Sequence, residues 1–270
     1  ELILSRDRYG KKPLYYLYQD STLYFSSEIK ALKKNLNKIE IDKDALNQFF
    51  TFRFTFDEKT MLKGIKNFSP GHYAVYSLKN KKFISKNKYY EISVSKNSLS
   101  FQNAKNKISS LLDDSVKLRM IADVPVACFL SGGLDSSLIT YYAKKYNTNL
   151  HTYSIGFDTT NELSYASLVA KELKTNHHEI KIDKDSILKY IEDMVFHMDE
   201  PIGGDPGFLP IFILSKEVSK NYKVVLSGDG ADEVFIGYDR YKFLHYGRFL
   251  KYFSFPSKNQ ILNRLYKLRG

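Results

Sequence analysis

From Phe101 onward, short apolar segments alternate with stretches whose apolar residues recur at helical spacing, and this alternation limits the possible folds more than any other feature. The strand candidates are VPVACFL, HTYSIGF, HHEIKI and KVVLSG. Helical patterns fall between them, from about Ser136, at 165–173, at 187–198 and at 209–219. One more precedes them in AKNKISSLLDDSVKLRM, where Ile108, Leu111, Leu112 and Val116 share a face. Apolar strands joined by helices imply an α/β fold with a parallel sheet covered on both faces. Ligands in such sheets sit at the carboxyl ends of the strands. The polar loops after VPVACFL, HTYSIGF and KVVL are therefore the places to look for chemistry.

The front of the chain reads differently. Residues 2–4, 14–18 and 22–27 suit short strands separated by turn chemistry at 7–13 and 19–21. Short helices are expected over 29–36 and 43–50, with Asp42 or Asp44 placed to accept from free amides at the start of the second. A turn at Pro70 and Gly71 leads into HYAVYSL, another strand. The following KNKKFISKNKYYEISVSKNSLS is polar and poor in long apolar runs, and a linker is expected near 92–100. The expected division is 1–92, a linker at 93–100, and 101–270.

Composition removes several classes. No apolar run approaches the roughly 20 residues that span a bilayer, and the first residues lack a secretory pattern, so a cytoplasmic protein without membrane attachment is expected. The net charge of +11 invites a nucleic-acid partner, but the lysines are scattered, with no basic tract or aromatic-basic module. A lysine-rich solvated surface is the better reading. The single cysteine, Cys128, lies inside an apolar strand and is expected to be a buried core thiol.

Leu130-Ser131-Gly132-Gly133-Leu134-Asp135-Ser136-Ser137 follows one strand and opens a helix. Its amides can converge on an anion with help from the helix dipole, and its glycines let the backbone approach phosphate. The serines donate, and Asp135 offers a hard oxygen for magnesium. The Gly-Lys-Ser/Thr ending of a Walker loop is absent. A second loop, Leu226-Ser227-Gly228-Asp229-Gly230-Ala231-Asp232-Glu233, puts three carboxylates within five positions. It reads as a metal or nucleotide contact or as a solvated acidic turn, and the first loop favours the former. The polar residues after HTYSIGF either face a nucleotide or cap the next helix. His177 and His178 are adjacent, so in a strand they point to opposite faces and do not readily share a metal.

The motifs SGGLDSS, TYSIGF, DEP (Asp199 to Pro201) and LSGDGADEVFIGYDRY together resemble the synthetase domain of glutamine-hydrolysing asparagine synthetases. SRDRYGKKPLYY, LYFSSEIKAL and FSPGHY resemble the closing part of that family's glutaminase domain. The resemblance implies an ATP-pyrophosphatase-type domain preceded by the C-terminal part of an Ntn-type glutaminase β-sandwich. It implies that Leu130 and Ile155 flank adenine, and that Ser227 and Gly228 touch the nucleotide. Ser131, Gly132, Gly133 and Ser136 would cradle pyrophosphate, Asp135 and Asp232 would hold Mg2+, and Asp229 would act in forming an acyl-adenylate. The implied substrates are ATP, aspartate and glutamine-derived ammonia. A related branch amidates surface-polysaccharide uronic acids, and a tRNA-modifying enzyme of the pyrophosphatase superfamily is a more distant alternative. Asp199, Glu200 and Asp205 fall in the segment expected to line the site. The resemblance also admits a homodimer for a full-length protein.

The family's glutaminase works with an N-terminal cysteine, whereas residue 1 here is Glu1, and a late basic residue of the family would lie beyond Gly270. A part of a longer gene product is the expectation. Ile236 stands where the family usually has glycine, Lys11 where an apolar residue is usual, and GGDP at 203–206 carries what looks like an extra glycine. A β-branched residue at a glycine position is expected to narrow the pocket or resist a positive φ.

Overall fold

The computed structural model describes residues 1–95, 98–157, 162–182, 187–201, 203, 207–239 and 241. They fall into two compact units, one of 1–107 with 181–218 and one of 108–180 with the residues from 219 on.

In the first unit, β1 (Leu2–Ser5), β5 (His72–Ser77) and β6 (Lys82–Lys88) form one antiparallel sheet in the order β1-β5-β6. β2 (Tyr15–Gln19), β3 (Thr22–Ser26) and β4 (Ile65–Asn67) form a second, in the order β3-β2-β4. Leu4, Tyr16, Phe68 and Ala74 pack together between the sheets, joined by Leu23 and Phe83. Because side chains alternate along a strand, Tyr15 and Leu17 leave β2 on its other face. There they meet Ile65 and, from α1 (Ile29–Lys33), Ile29 and Leu32. This is a sandwich with a helix on one outer face. Asp42 caps α2 (Lys43–Phe52) by accepting from the amides of Asp44 and Ala45 at 2.9 and 3.0 Å.

β4 and β6 are additions to what the sequence pattern suggests. β6 is an edge strand whose inward Phe83 sets its ring edge-to-face on Tyr16 and Tyr76, at 5.8 and 5.4 Å. Its remaining residues are mostly lysine and small polar types, which suits an edge that must not recruit another strand but leaves little apolar signal. Two helices, α6 (Ile187–His197) and α7 (Phe208–Val218), complete the first unit.

The second unit opens with most of α3 (Phe101–Arg119) and is built on a four-stranded sheet in the order β10-β7-β8-β9. Its strands are β7 (Val126–Phe129), β8 (His151–Phe157), β9 (Asn176–Ile182) and β10 (Val224–Leu226), with β10–β7 and β7–β8 parallel. α4 (Leu134–Tyr146) follows β7, and α5 (Glu162–Leu173) follows β8. Val116, Cys128, Tyr142, Ala143 and Leu150 form the core on one side, and Leu130, Ala166 and Ala170 pack on α5. Cys128 is fully buried, and burial pushes its thiol pKa up to about 12. This is the α/β parallel-sheet class that the strand–helix alternation implies. No helix among the described residues is long and apolar enough to cross a membrane.

Candidate nucleotide site

β10 and β7 run parallel in register, Leu226 opposite Cys128 and Val225 opposite Ala127, so the two polar loops leave the sheet side by side at its carboxyl edge. The first loop is knitted by its own hydroxyls. Ser136 Oγ accepts from the Ser131 amide at 3.2 Å, lies 3.0 Å from Ser131 Oγ and donates to the Gly133 carbonyl at 3.3 Å. Ser131 Oγ in turn accepts from the Gly133 amide at 3.3 Å. Gly133 is the N-cap of α4, with no side-chain cap of its own, so the first-turn amides of a 13-residue helix look into the loop.

Two glycines make this geometry possible. Gly132 has φ +80°, and a Cβ there would lie 2.6 Å from the Ala166 nitrogen and the Tyr165 carbonyl carbon. The loop is thus pressed against the backbone of α5, where no side chain fits. A Cβ on Gly228 would lie 2.8 Å from the Ser136 nitrogen and 2.9 Å from the Asp135 Cβ. The second loop therefore rests its bare backbone on the first turn of α4. In it, Ser227 Oγ donates to Asp229 Oδ2 at 2.8 Å, and Gly230 takes φ +90° before α8 (Ala231–Phe235) begins. Asp135 and Asp232 are partly buried and Asp229 is exposed. A Cβ on Gly237 would fall 1.8 Å from Asp232 Oδ1, so the Asp232 carboxylate folds back over that glycine.

Residues 107–269 match the asparagine synthase family model, and residues 1–90 match the glutamine amidotransferase domain model. The chain belongs to the asparagine synthase family. It is 34% identical over 240 residues to asparagine synthetase [glutamine-hydrolyzing] 1 of Bacillus subtilis (strain 168), covering 88% of this chain and 38% of that protein. It is 32% identical over 256 residues to asparagine synthetase [glutamine-hydrolyzing] 3 of the same organism, covering 88% and 41%. A more distant relative, amidase chyE of Penicillium rubens, is 29% identical over 262 residues, covering 89% and 38%. The chain thus spans about two fifths of the length of these relatives.

Within this family frame, the positions singled out from sequence fall as follows. Ser131, Gly132, Gly133, Asp135 and Ser136 are brought together with Ser227 and Gly228 by the contacts above. The Leu130 side chain is 1% exposed against Ala166 and Ala170, so what it can offer a ligand is backbone. Ile155 lies in β8 and is partly buried. The polar residues 158–161 and Asp205 lie outside the described residues.

Asp199 and Glu200 do not behave as free lining groups. Their carboxylates are turned onto backbone amides within the first unit, Asp199 onto Ile29 and Glu200 onto Met61. The two histidines turn to different partners. His177 Nδ1 and Nε2 lie 2.9 and 3.2 Å from the hydroxyls of Thr152 and Ser154, while His178 Nε2 meets His151 Nδ1 at 2.9 Å. Burial lowers the pKa of both His177 and His151.

Ile236, the departure from the family's glycine, adopts φ +61°, ψ 42° as the C-cap of α8 and is 68% exposed. A left-handed conformation is held there by a β-branched residue. Sequence reasoning missed the Gly228–Asp135 approach and the Gly237–Asp232 contact. Their signal was available only as glycines at loop positions, Gly228 read as a nucleotide contact and Gly237 given no role.

Proposed function

We propose that this chain carries the nucleotide-handling part of an ATP-dependent amide-forming enzyme. In this reading the enzyme converts L-aspartate to L-asparagine through an aspartyl-adenylate, using glutamine-derived ammonia and releasing AMP and pyrophosphate. The observation that carries the reading is the seating of Gly228 on Asp135 and Ser136, which joins a phosphate-type loop to an acidic loop at one sheet edge. Residues 1–92 are assigned to the C-terminal part of a type 2 glutamine amidotransferase domain, 93–100 to a linker and 101–270 to the ATP-binding domain.

A carboxylate is a poor electrophile and must be activated before ammonia can attack it. The aspartate side-chain oxygen bonds to the α-phosphorus of ATP as the bond to the β-phosphate oxygen breaks. Ammonia then adds to the acyl carbon, gives up its extra proton, and AMP leaves. The residues here supply positions and hydrogen bonds for that sequence. The hydroxyls of Ser131 and Ser136, now bonded to each other, are the donors that would turn to pyrophosphate together with the Gly132 and Gly133 amides. Leu130 and Ile155 would border adenine, Ser227 and Gly228 would contact the nucleotide, and Asp229 is assigned to adenylate formation.

No group of three or more His, Cys, Asp or Glu side chains is placed to hold a metal among the described residues. Asp135 and Asp232 nevertheless fit Mg2+, because magnesium bound with a nucleotide needs only one or two carboxylates, phosphate oxygens and water completing its shell. When bound there, the ion would lower the charge barrier between carboxylate and triphosphate.

The deciding experiment uses the gene product with ATP and free ammonia, comparing aspartate with uronic acids. Asparagine and AMP in equal amounts are expected from aspartate. Release of ADP and inorganic phosphate would overturn the adenylate route. AMP formation with a uronic acid and none with aspartate would move the protein to an amidotransferase of the same family acting on sugar acids.

A further inference from the structure

The stretch around Asp199 belongs by sequence to the part that matches the synthase model, yet it is built into the unit made mostly of the amidotransferase-type part. Four separate contacts hold it there. Lys30 Nζ donates to the Phe196 carbonyl at 3.1 Å and stands 4.6 Å above the Phe196 ring. The Ile29 amide donates to Asp199 Oδ1 at 2.6 Å. The Met61 amide donates to both Glu200 oxygens, at 3.3 and 3.2 Å. A Cβ on Gly203 would lie 2.4 Å from the Arg53 Cβ and 2.9 Å from the Arg53 carbonyl oxygen, so backbone meets backbone at that point.

The chemistry of these contacts is more specific than surface packing. The residue at the N-cap position of α1, Glu28, makes no side-chain capping bond, although a first-turn amide left without a partner beside a buried side chain is costly. Asp199 supplies that bond from 170 residues away, at the position where Ile29 enters the core. Glu200 secures the loop between α2 and β4 in the same manner. The two neighbouring carboxylates thus hold two separate elements of the sandwich unit, and their charges add to the burial that raises the pKa of Tyr15 on β2.

We propose that Asp199 and Glu200 are positioning residues that tie the synthase-type stretch to the amidotransferase-type part, so that use of glutamine nitrogen depends on them while use of free ammonia does not. The second half of this statement rests on the function proposed above, and the first half stands on the contacts alone.

Two measurements test it. In the chain itself, D199A and E200A are followed by amide hydrogen exchange. Exchange about tenfold faster or more is expected at Ile29 and Met61 respectively, with the amides of β7 and α4 unchanged. E200Q, which keeps an acceptor, restores most of the Met61 protection. Unchanged exchange at both amides overturns the tie, and faster exchange throughout β7 and α4 shows general unfolding in place of a local tie and overturns it too. In the gene product, AMP formation is compared with glutamine and with ammonia as nitrogen source. E200A is expected to lower the glutamine-driven rate about tenfold or more while the ammonia-driven rate stays within about twofold. An equal fall in both rates, or no fall in either, overturns the coupling. A wild-type protein forming no AMP from either source overturns the proposed function and the coupling with it, and the exchange measurement still decides the tie.

Discussion

Two acidic regions of this molecule use the same functional group in opposite ways. In the second unit, Asp135 and Asp232 stand beside glycine backbone, and among the described residues neither side chain is engaged by an amide or a basic side chain. In the first unit, Asp199 and Glu200 are half-buried neighbours whose oxygens are occupied by amides of distant elements. The lesson lies in the cost of burial. A carboxylate already satisfied by backbone donors contributes to the fold and has little left for a ligand. One left open against bare backbone does little for the fold and gains a partner only when a cation or substrate arrives.

The sharpest way to break this contrast is D135A. If Asp135 serves a ligand and not the fold, the substitution lowers pyrophosphate and AMP formation by about a thousandfold or more, the several kcal/mol that a metal ligand commonly contributes. The urea midpoint should stay within the error of wild type. A large drop in that midpoint would place Asp135 with the structural carboxylates. Next in size is G228V, which inserts a side chain where a Cβ alone would lie 2.8 Å from the Ser136 nitrogen. The loops must separate, and nucleotide affinity measured by calorimetry is expected to fall about tenfold to a hundredfold, a cost of about 1.4–3 kcal/mol.

The structural pair carries a pH signature. Burial, opposed by the Met61 amide and reinforced by the Asp199 charge, pushes the Glu200 pKa up to about 7 from an ordinary 4.5. The folded state therefore binds this proton more tightly than the unfolded state does. The stabilisation from the neutral acid is fully present below about pH 4.5 and is lost as pH rises through about 7. Unfolding free energy measured across that window should decline in wild type by an amount that disappears in E200Q. The smallest effect is I236G. Relieving the left-handed isoleucine at an exposed position, where no buried area is lost, is expected to raise stability by about 1 kcal/mol in a urea titration.

Legibility in the sequence differed between the regions for the same reasons. The strands of the parallel sheet are covered on both faces, so VPVACFL and HTYSIGF announce themselves as apolar runs, and the parallel α/β class followed from their alternation with helices. β6 escaped because an edge strand with one inward phenylalanine and several lysines has no such run. α4 begins at Leu134, two residues before the expected Ser136, because the N-cap falls on Gly133 inside the loop and not on a capping side chain. The glycine-rich loops were legible as motifs, since their composition departs from any ordinary turn. The partners of Asp199 and Glu200 were not, because Ile29 and Met61 contribute backbone amides from 170 and 139 residues away, and an amide has no letter of its own.

The buried thiol on β7 has a practical consequence. Cys128 is the chain's single cysteine and has no exposure in the folded state, and its register partner Leu226 lies immediately before the acidic loop. A thiol reagent therefore reacts only when the core that Val116 of α3 and Tyr142 and Ala143 of α4 build over the sulfur opens, and the labelling rate becomes a clock for that opening. No engineered probe and no competing cysteine is involved. A nucleotide that bridges the two loops as proposed would slow this clock by the factor with which it favours the closed unit, so the proposed affinity can be tested at a sulfur atom outside both loops.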